Sequence, residues 1–247
     1  MAGTRYISRV RKDTKDKKDY SDMSVIIPAA GMGRRMKTYG PKCMIPINGV
    51  PIIERQIKQL NKVYPNCDII IVVGFGSSVI SDTIRRKYKV RIVYNHDYEE
   101  TNVARSIYLG MQASSSESCL IVYGDLIFNN VAIKDLFGQE SKIVIDNNDK
   151  TRSEEVGVMY YDGKVTNLSY AMDHKWCQIA YLSSKEMRMF EKISSNEEKF
   201  KWFGYEVINE IIDNGGSFTP YAPSGLKIHE IDSPKDVKII KSIGVIS

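Results

Sequence analysis

The sequence predicts an α/β protein, a three-layer αβα sandwich around a central mixed sheet that is mostly parallel. Three observations lead there. The runs Ser24 to Pro28, Asp68 to Val73 and Cys119 to Tyr123 are continuously apolar or β-branched, as strands covered on both faces must be. Segments with apolar residues at helical spacing lie between them. Strand and helix therefore alternate as in βαβ units, whose parallel strands need a crossover helix.

The elements follow in order. Residues 1–22 alternate charge densely (Arg9, Arg11, Lys12, Asp13, Lys15, Asp16, Lys17, Lys18, Asp19) and read as a flexible, solvated leader. The sharper alternative is an arm for a partner or nucleic acid, but interspersed aspartates blunt its field. The first strand, Ser24 to Pro28, runs into Ala29-Ala30-Gly31-Met32-Gly33-Arg34-Arg35-Met36, with Pro41-Lys42 close behind. Small residues let the backbone approach a ligand, and successive N–H groups in such a turn form an anion-binding concavity. Arg35 and Lys42 add fixed positive charge, and together these features describe a triphosphate cradle. Two familiar glycine motifs are excluded. A dinucleotide fingerprint would need a glycine where Met36 stands, and no Gly-Lys-Ser or Gly-Lys-Thr of a P-loop occurs.

Ile52, Ile53, Ile57 and Leu60 then mark an amphipathic helix. The strand Asp68 to Val73, a helix over Ser77 to Tyr88 and a short strand Val90 to Tyr94 come next. A polar loop, Asn95 to Asn102, opens a helix carrying Val103, Ile107, Leu109 and Met111. Cys119 to Tyr123 ends in Gly124-Asp125, an acidic residue at the carboxyl edge of a central strand, where open α/β sheets bind ligands. The second half changes character. Short strands are expected at Ser141–Ile145, Gly157–Tyr161, Val165–Tyr170 and Gln178–Leu182, with Asp162-Gly163 as a hairpin turn. Helices Ser184–Ile193 and Trp202–Asp213 follow, Gly215-Gly216 ending the second. A strand at Lys227–Ile231 and a helix from Pro234 close the chain.

Composition narrows the class. A net charge of +5 gives no reason to expect a nucleic-acid platform. Cys43, Cys67, Cys119 and Cys177 are widely spaced, without zinc-ligand spacing, which points to a reducing cytoplasm. No apolar run approaches the ~18 residues of a membrane span, and the N-terminus lacks a signal-peptide core.

The A-A-G-x-G-x-R-M loop followed by P-K resembles the signature of nucleotidyltransferases with the Rossmann-like, GT-A-like fold. These enzymes join an NTP to a phosphorylated acceptor. The loop is similar to that of methylerythritol-phosphate cytidylyltransferases, but their D-A-x-R-P landmark is here Gly124-Asp125-Leu126-Ile127-Phe128. Lys87 to Asn95, Asn102 to Leu109 and Ile228-His229-Glu230-Ile231-Asp232-Ser233-Pro234 resemble choline-phosphate cytidylyltransferases and related sugar-phosphate enzymes.

The resemblance implies one domain over 23–247, with a nucleotide-binding half (23–130) and an acceptor-binding half (131–247). It implies Mg²⁺ held by Asp125 and Asp232, although either could instead cap a turn or the last helix. It gives Arg35 and Lys42 to catalysis and Ala29, Ala30, Gly31, Met32 and Gly33 to the triphosphate. Ser106 would meet base or ribose; Asn102 would do so or only cap its helix. Glu154, Tyr170, Tyr181, Tyr205 and Glu206, with Trp176, are the acceptor candidates, aromatic and acidic groups of the kind that hold a quaternary ammonium. The tryptophan expected after the acid at Glu154 is missing, the sequence running Glu154-Glu155-Val156. The expected partners are an NTP, CTP by resemblance, and a phosphorylated alcohol or sugar, with a homodimer left open. The alternatives are a sugar-1-phosphate nucleotidyltransferase using UTP or dTTP, and a nucleotide-binding regulator without turnover.

Overall fold

A computed structural model describes residues 19–33, 40–147 and 151–243. The charged leader up to residue 18 lies outside them. Tyr20 does not behave as leader: its ring meets Tyr64 at 4.9 Å and Phe137 at 5.7 Å, both edge-on. The packed body therefore begins by Tyr20, not at residue 23.

The first half is built as its sequence requires. Strand β1 (Met23–Ala29) pairs in parallel with β4 (Asp68–Val73) and β6 (Ser118–Val122), and β5 (Arg91–Tyr94) extends the sheet beyond β4. Met23, Val25 and Ile27 pack on one face while Ile26 packs on the other. Covering both faces takes helices on both: α1 (Ile52–Val63) and α2 (Ser77–Ile84) on the first, α3 (Val103–Ala113) on the second. Ile52, Ile53, Ile57 and Leu60 of α1 are fully buried, each such side chain contributing about 1.5–3 kcal/mol relative to exposure. A small hairpin of β2 (Pro46–Ile47) and β3 (Val50–Pro51) precedes α1.

The second half attaches through antiparallel strands. β7 (Leu126–Phe128) leaves the main sheet, and β8 (Ser141–Asp146) rejoins it. β9 (Val156–Tyr161) and β10 (Lys164–Tyr170) form the expected hairpin. β11 (His174–Leu182) is longer than the sequence suggests and acts as the junction. Along one side it pairs with β8; along the other, Lys175 pairs with Gly157 of β9 while Ile179 pairs with Val122 of β6. The sheet thus forks around β11, and a cleft opens in the fork beside the end of β6.

Helices α4 (Ser184–Ser194) and α5 (Gly204–Asp213) join α3 on the second face. Strand β12 (Phe218–Tyr221) runs parallel to β8. Strand β13 (Ile228–Glu230) pairs with β7, setting Glu230 opposite Leu126, before α6 (Pro234–Ile243) closes a third cluster around Ile45, Ile52 and Ile231. The three-layer, mostly parallel core matches the fold read from sequence. No helix among the described residues is long and apolar enough to cross a membrane.

Candidate active site

A cleft of about 650 Å³ lies along the carboxyl ends of β1 and β6 and the fork at β11. Its first wall is the glycine loop: Pro28, Ala29, Ala30, Gly31 and Gly33 line it. Gly33 has φ 51°, and a Cβ there would meet Lys42 Cγ at 3.0 Å. The glycine therefore lets the loop lie against the Lys42 stem. Met32 is on the loop but outside the lining, and Arg35 lies outside the described residues.

The charged centre comes next. Gly124 N–H donates to Pro28 O (3.2 Å), and Ile231 N–H donates to Asp125 O (3.0 Å), so the ends of β1, β6 and β13 are tied together. This brings Asp125, Glu230 and Asp232, with one carboxylate oxygen each, within 4.8 Å of one another. The Lys42 ammonium bridges Asp125 (3.1 Å) and Asp232. Burial opposes the charge on Lys42, but the two aspartates outweigh it and raise its pKa. One cation cannot balance three carboxylates. Burial, followed by the charges of Asp125 and Asp232, pushes the Glu230 carboxyl up to about 8, against the pull of Gln178 and Lys42. Three crowded hard oxygens with a charge deficit are the donor set that suits a divalent cation such as Mg²⁺. The sequence paired Asp125 with Asp232; in the structure Glu230 converges with them.

The cleft continues over α3. Asn102 caps that helix, its side chain accepting from Val103 N–H (2.8 Å), and it also lines the cleft. Ser106 is buried, accepting from Asn95 Nδ2 at 3.1 Å. Asn95, itself buried, also donates to Thr101 Oγ1 (3.1 Å). Sequence reading named the Asn95 loop but not Asn95 as a lining residue.

The far wall comes from β9 to α5. Tyr170 meets Tyr205 edge-on at 5.7 Å, and Tyr205 stacks on Phe203 at 5.9 Å. Trp176 lies behind, edge-on to Tyr123 at 5.6 Å. Arg152, Glu154, Glu155 and Lys175 complete the rim, with Lys175 Nζ on Glu155 Oε1 at 2.8 Å. Two expected acceptor residues lie elsewhere. Tyr181 is core: it is 2% exposed, donates to Gly138 O (2.8 Å), and packs on Phe137. Glu206 is a helix cap, its carboxylate accepting the Phe203 N–H at 2.6 Å. Phe203, Arg152 and Lys175 were missed, since nothing local in sequence shows which strand face opens to the fork.

The two walls are tied together. Asn102 N–H donates to Phe200 O (2.8 Å), and Ala104 N–H donates to Trp202 O (3.3 Å). The Arg105 guanidinium covers the Phe200 ring at 4.0 Å. The Tyr123 hydroxyl, on a partly buried ring, lies against the Gly204 backbone at the start of α5.

Comparison with known proteins agrees with the fold. The MobA-like NTP transferase domain matches residues 25–188. Choline-phosphate cytidylyltransferase of Streptococcus pneumoniae is 31% identical over 244 residues, covering 90% of this chain and 98% of that protein. The solved structure of the CTP:phosphocholine cytidylyltransferase from the same organism superimposes with a TM-score of 0.72 at 25% identity, covering 90% and 98% of the two chains. The inositol-1-phosphate CTP transferase from T. maritima gives 0.70 over 90% and 97%; at 19% identity it speaks for the fold alone.

Proposed function

Because this chain belongs to the MobA-like NTP transferase family, we propose that it joins CTP to a phosphorylated small-molecule acceptor and releases pyrophosphate. The observation that carries this reading is the position of the Lys42–Asp125–Glu230–Asp232 cluster, between the glycine loop and an aromatic-walled pocket. Cytidine is favoured by the 31% identity to a choline-phosphate cytidylyltransferase over nearly its whole length.

In the proposed reaction an acceptor phosphate oxygen attacks the α-phosphorus of CTP in line. A phosphate monoester is already an anionic nucleophile, so the chain need not supply a base; its work is positioning and charge compensation. Amides of Ala30 to Gly33 bind the triphosphate, and Lys42 offsets charge developing on departing pyrophosphate. Arg35, by its place in the loop motif, shares that task. Ser106 and Asn102 hold the nucleoside, and Tyr170 and Tyr205, with Glu154 at the rim, enclose the acceptor. Asp125, Glu230 and Asp232 would hold Mg²⁺. That ion, when bound, would neutralise phosphate charge. Four cysteines that are all buried and free support a reducing, cytoplasmic setting.

The test is a matrix of CTP, UTP, GTP, ATP and dTTP against phosphorylated alcohols and sugars, scored by pyrophosphate release. CTP-dependent release with one acceptor class is expected. Release only with UTP or dTTP and a sugar 1-phosphate would overturn the cytidine reading. Tight nucleotide binding with no release across the panel would overturn the enzyme reading.

A further inference from the structure

Gln178 lies inside the long strand β11, yet its backbone is left-handed, with φ 55°. The other described non-glycine residues with positive φ (Asn48, Asn66, Asp135, Asp162 and Ala171) all sit in turns. An L side chain in this conformation is strained, and such strain persists only where the surroundings enforce it. The strain coincides with a break in register. β11 covers Trp176 to Ala180 while its neighbour β8 covers only Ile145 to Ile143. The bulge falls where β11 passes from pairing with β9 to pairing with β6. Bulges of this kind re-aim a side chain, and they recur beside active sites.

Both polar ends of Gln178 are used at that point. Its carbonyl accepts the Tyr123 N–H at 3.3 Å, holding the bulge against the end of β6. Its side-chain Nε2 donates to Glu230 Oε2 at 2.6 Å. Lys42 reaches Asp125 and Asp232, whereas Gln178 supplies the side-chain hydrogen bond to the third carboxylate. A neutral donor has a specific advantage there. It orients the carboxyl without adding a positive charge that would compete with an incoming cation.

We infer that Gln178 is a positioning residue, whose amide holds Glu230 facing Asp125 and Asp232 and so sets the cation affinity of the cluster. The strained bulge is the backbone device that delivers this amide. The inference rests on the cation-binding reading of the cleft proposed above, though not on which nucleotide or acceptor is used.

Two substitutions separate amide from backbone. Gln178→Asn suits the left-handed backbone better than glutamine but is too short to reach Glu230. Gln178→Met keeps the length and loses the donor. The probe is Mn²⁺ alone, titrated into the full chain without nucleotide and followed by the electron paramagnetic resonance of free Mn²⁺, with Tm measured in parallel. Both variants should bind Mn²⁺ about 10- to 100-fold more weakly, with the Tm of Gln178→Asn within ~2 °C of the parent's. A purely structural role makes the opposite forecast, since Asn would then serve as well as glutamine. Parent-like Mn²⁺ affinity in either folded variant, or a parent chain that takes up no Mn²⁺, overturns the inference. The nucleotide matrix fails or succeeds independently of this titration, so the two readings can be told apart.

Discussion

Replacing Gly204 by Ala tests how the aromatic wall of the cleft is anchored, and the structure gives the size of the effect. Gly204 opens α5 against the Tyr123 hydroxyl, and a Cβ there would stand 2.4 Å from Tyr123 Oη. The next atoms, Ile107 Cδ1 and Tyr123 Cζ, are at an ordinary 3.6 Å. The hydroxyl cannot swing aside, because it ends a rigid ring wedged edge-on against Trp176. Overpacking of this kind costs about 1–3 kcal/mol, and the better helix propensity of Ala returns at most ~1 kcal/mol. A net loss of about 1–2 kcal/mol lowers Tm by ~2–8 °C in a domain of this size. Tyr123→Phe alone removes the polar hydroxyl that faces the Gly204 backbone and should cost at most about 0.5–1.5 kcal/mol. In the double variant the offending atom is gone, so Gly204→Ala should cost nothing further. The assay is urea unfolding of the four proteins at one pH and salt concentration. The double variant should exceed the additive expectation by about 1 kcal/mol or more. The acceptor KM of Gly204→Ala should rise more than its nucleotide KM, because Phe203 and Tyr205 flank the strained position. Additive losses, or a Gly204→Ala protein as stable as the parent, would refute the reasoning.

Four further outcomes are expected. Lys42→Ala should lower kcat/KM by ~10²-fold or more. It should also lower Tm in metal-free buffer, where three carboxylates lose their counter-charge, with Mg²⁺ restoring Tm but not rate; unchanged turnover would show the cradle misread. Asp125→Ala and Asp232→Ala should each abolish the metal-dependent rate, and the double variant should be little worse, as for residues acting as a unit; near-normal activity of Asp232→Ala at low Mg²⁺ would remove it from the site. Deleting residues 1–18 should leave Tm unchanged, whereas deleting 1–22 should lower it by a few degrees through loss of the Tyr20 contacts with Tyr64 and Phe137; equal Tm values would mean that Tyr20 adds nothing. The buried Glu186 carboxyl is pushed up by desolvation, but hydrogen bonds from Ser183, Ser141 and the Ser217 amide outweigh this and lower its pKa below the ordinary 4.5. Its contribution is therefore present above pH 4.5 and lost as pH falls through the depressed value, so Glu186→Gln should cost about 1–3 kcal/mol at pH 7 and progressively less in acid; a pH-independent difference would contradict this.

The parts of the fold that sequence revealed are those where one physical rule dominates. β1, β4 and β6 are apolar throughout because both faces are covered, and α1 shows its buried stripe directly. β12 escaped notice because Thr219 and Pro220 break its apolar run; proline is tolerated there because the strand lies at the sheet's edge. The start of β11 was hidden by the polar pair His174 and Lys175, of which Lys175 lines the cleft while His174 packs against Tyr160. Helix α2 is shorter than its pattern, since Arg85 to Tyr88 turn away to place Tyr88 and Lys87 on Glu54. In the site, the loop and Asp125 were legible because chemistry demands those residue types next to a strand end. Tyr181 and Glu206 misled for ordinary reasons: an aromatic inside a strand usually fills core, and a glutamate at the third helical position usually caps. Gln178 left no sequence signal, because its importance lies in a backbone angle.

The backbone staples from Asn102 and Ala104 to Phe200 and Trp202 also bear on how such a protein can diverge. The stretch that carries Phe203 and Tyr205 is not an exchangeable cassette. Rebuilding it for a new acceptor would drag the start of α3, and with it the pocket proposed for the nucleotide, out of tune. Tyr170 and Arg152 belong to the same wall, but they stand on segments that, among the described residues, make no such backbone bond to α3. Descendants that change acceptor while keeping their nucleotide should therefore accumulate substitutions on the β9–β10 side of the cleft first, and an engineer should begin there.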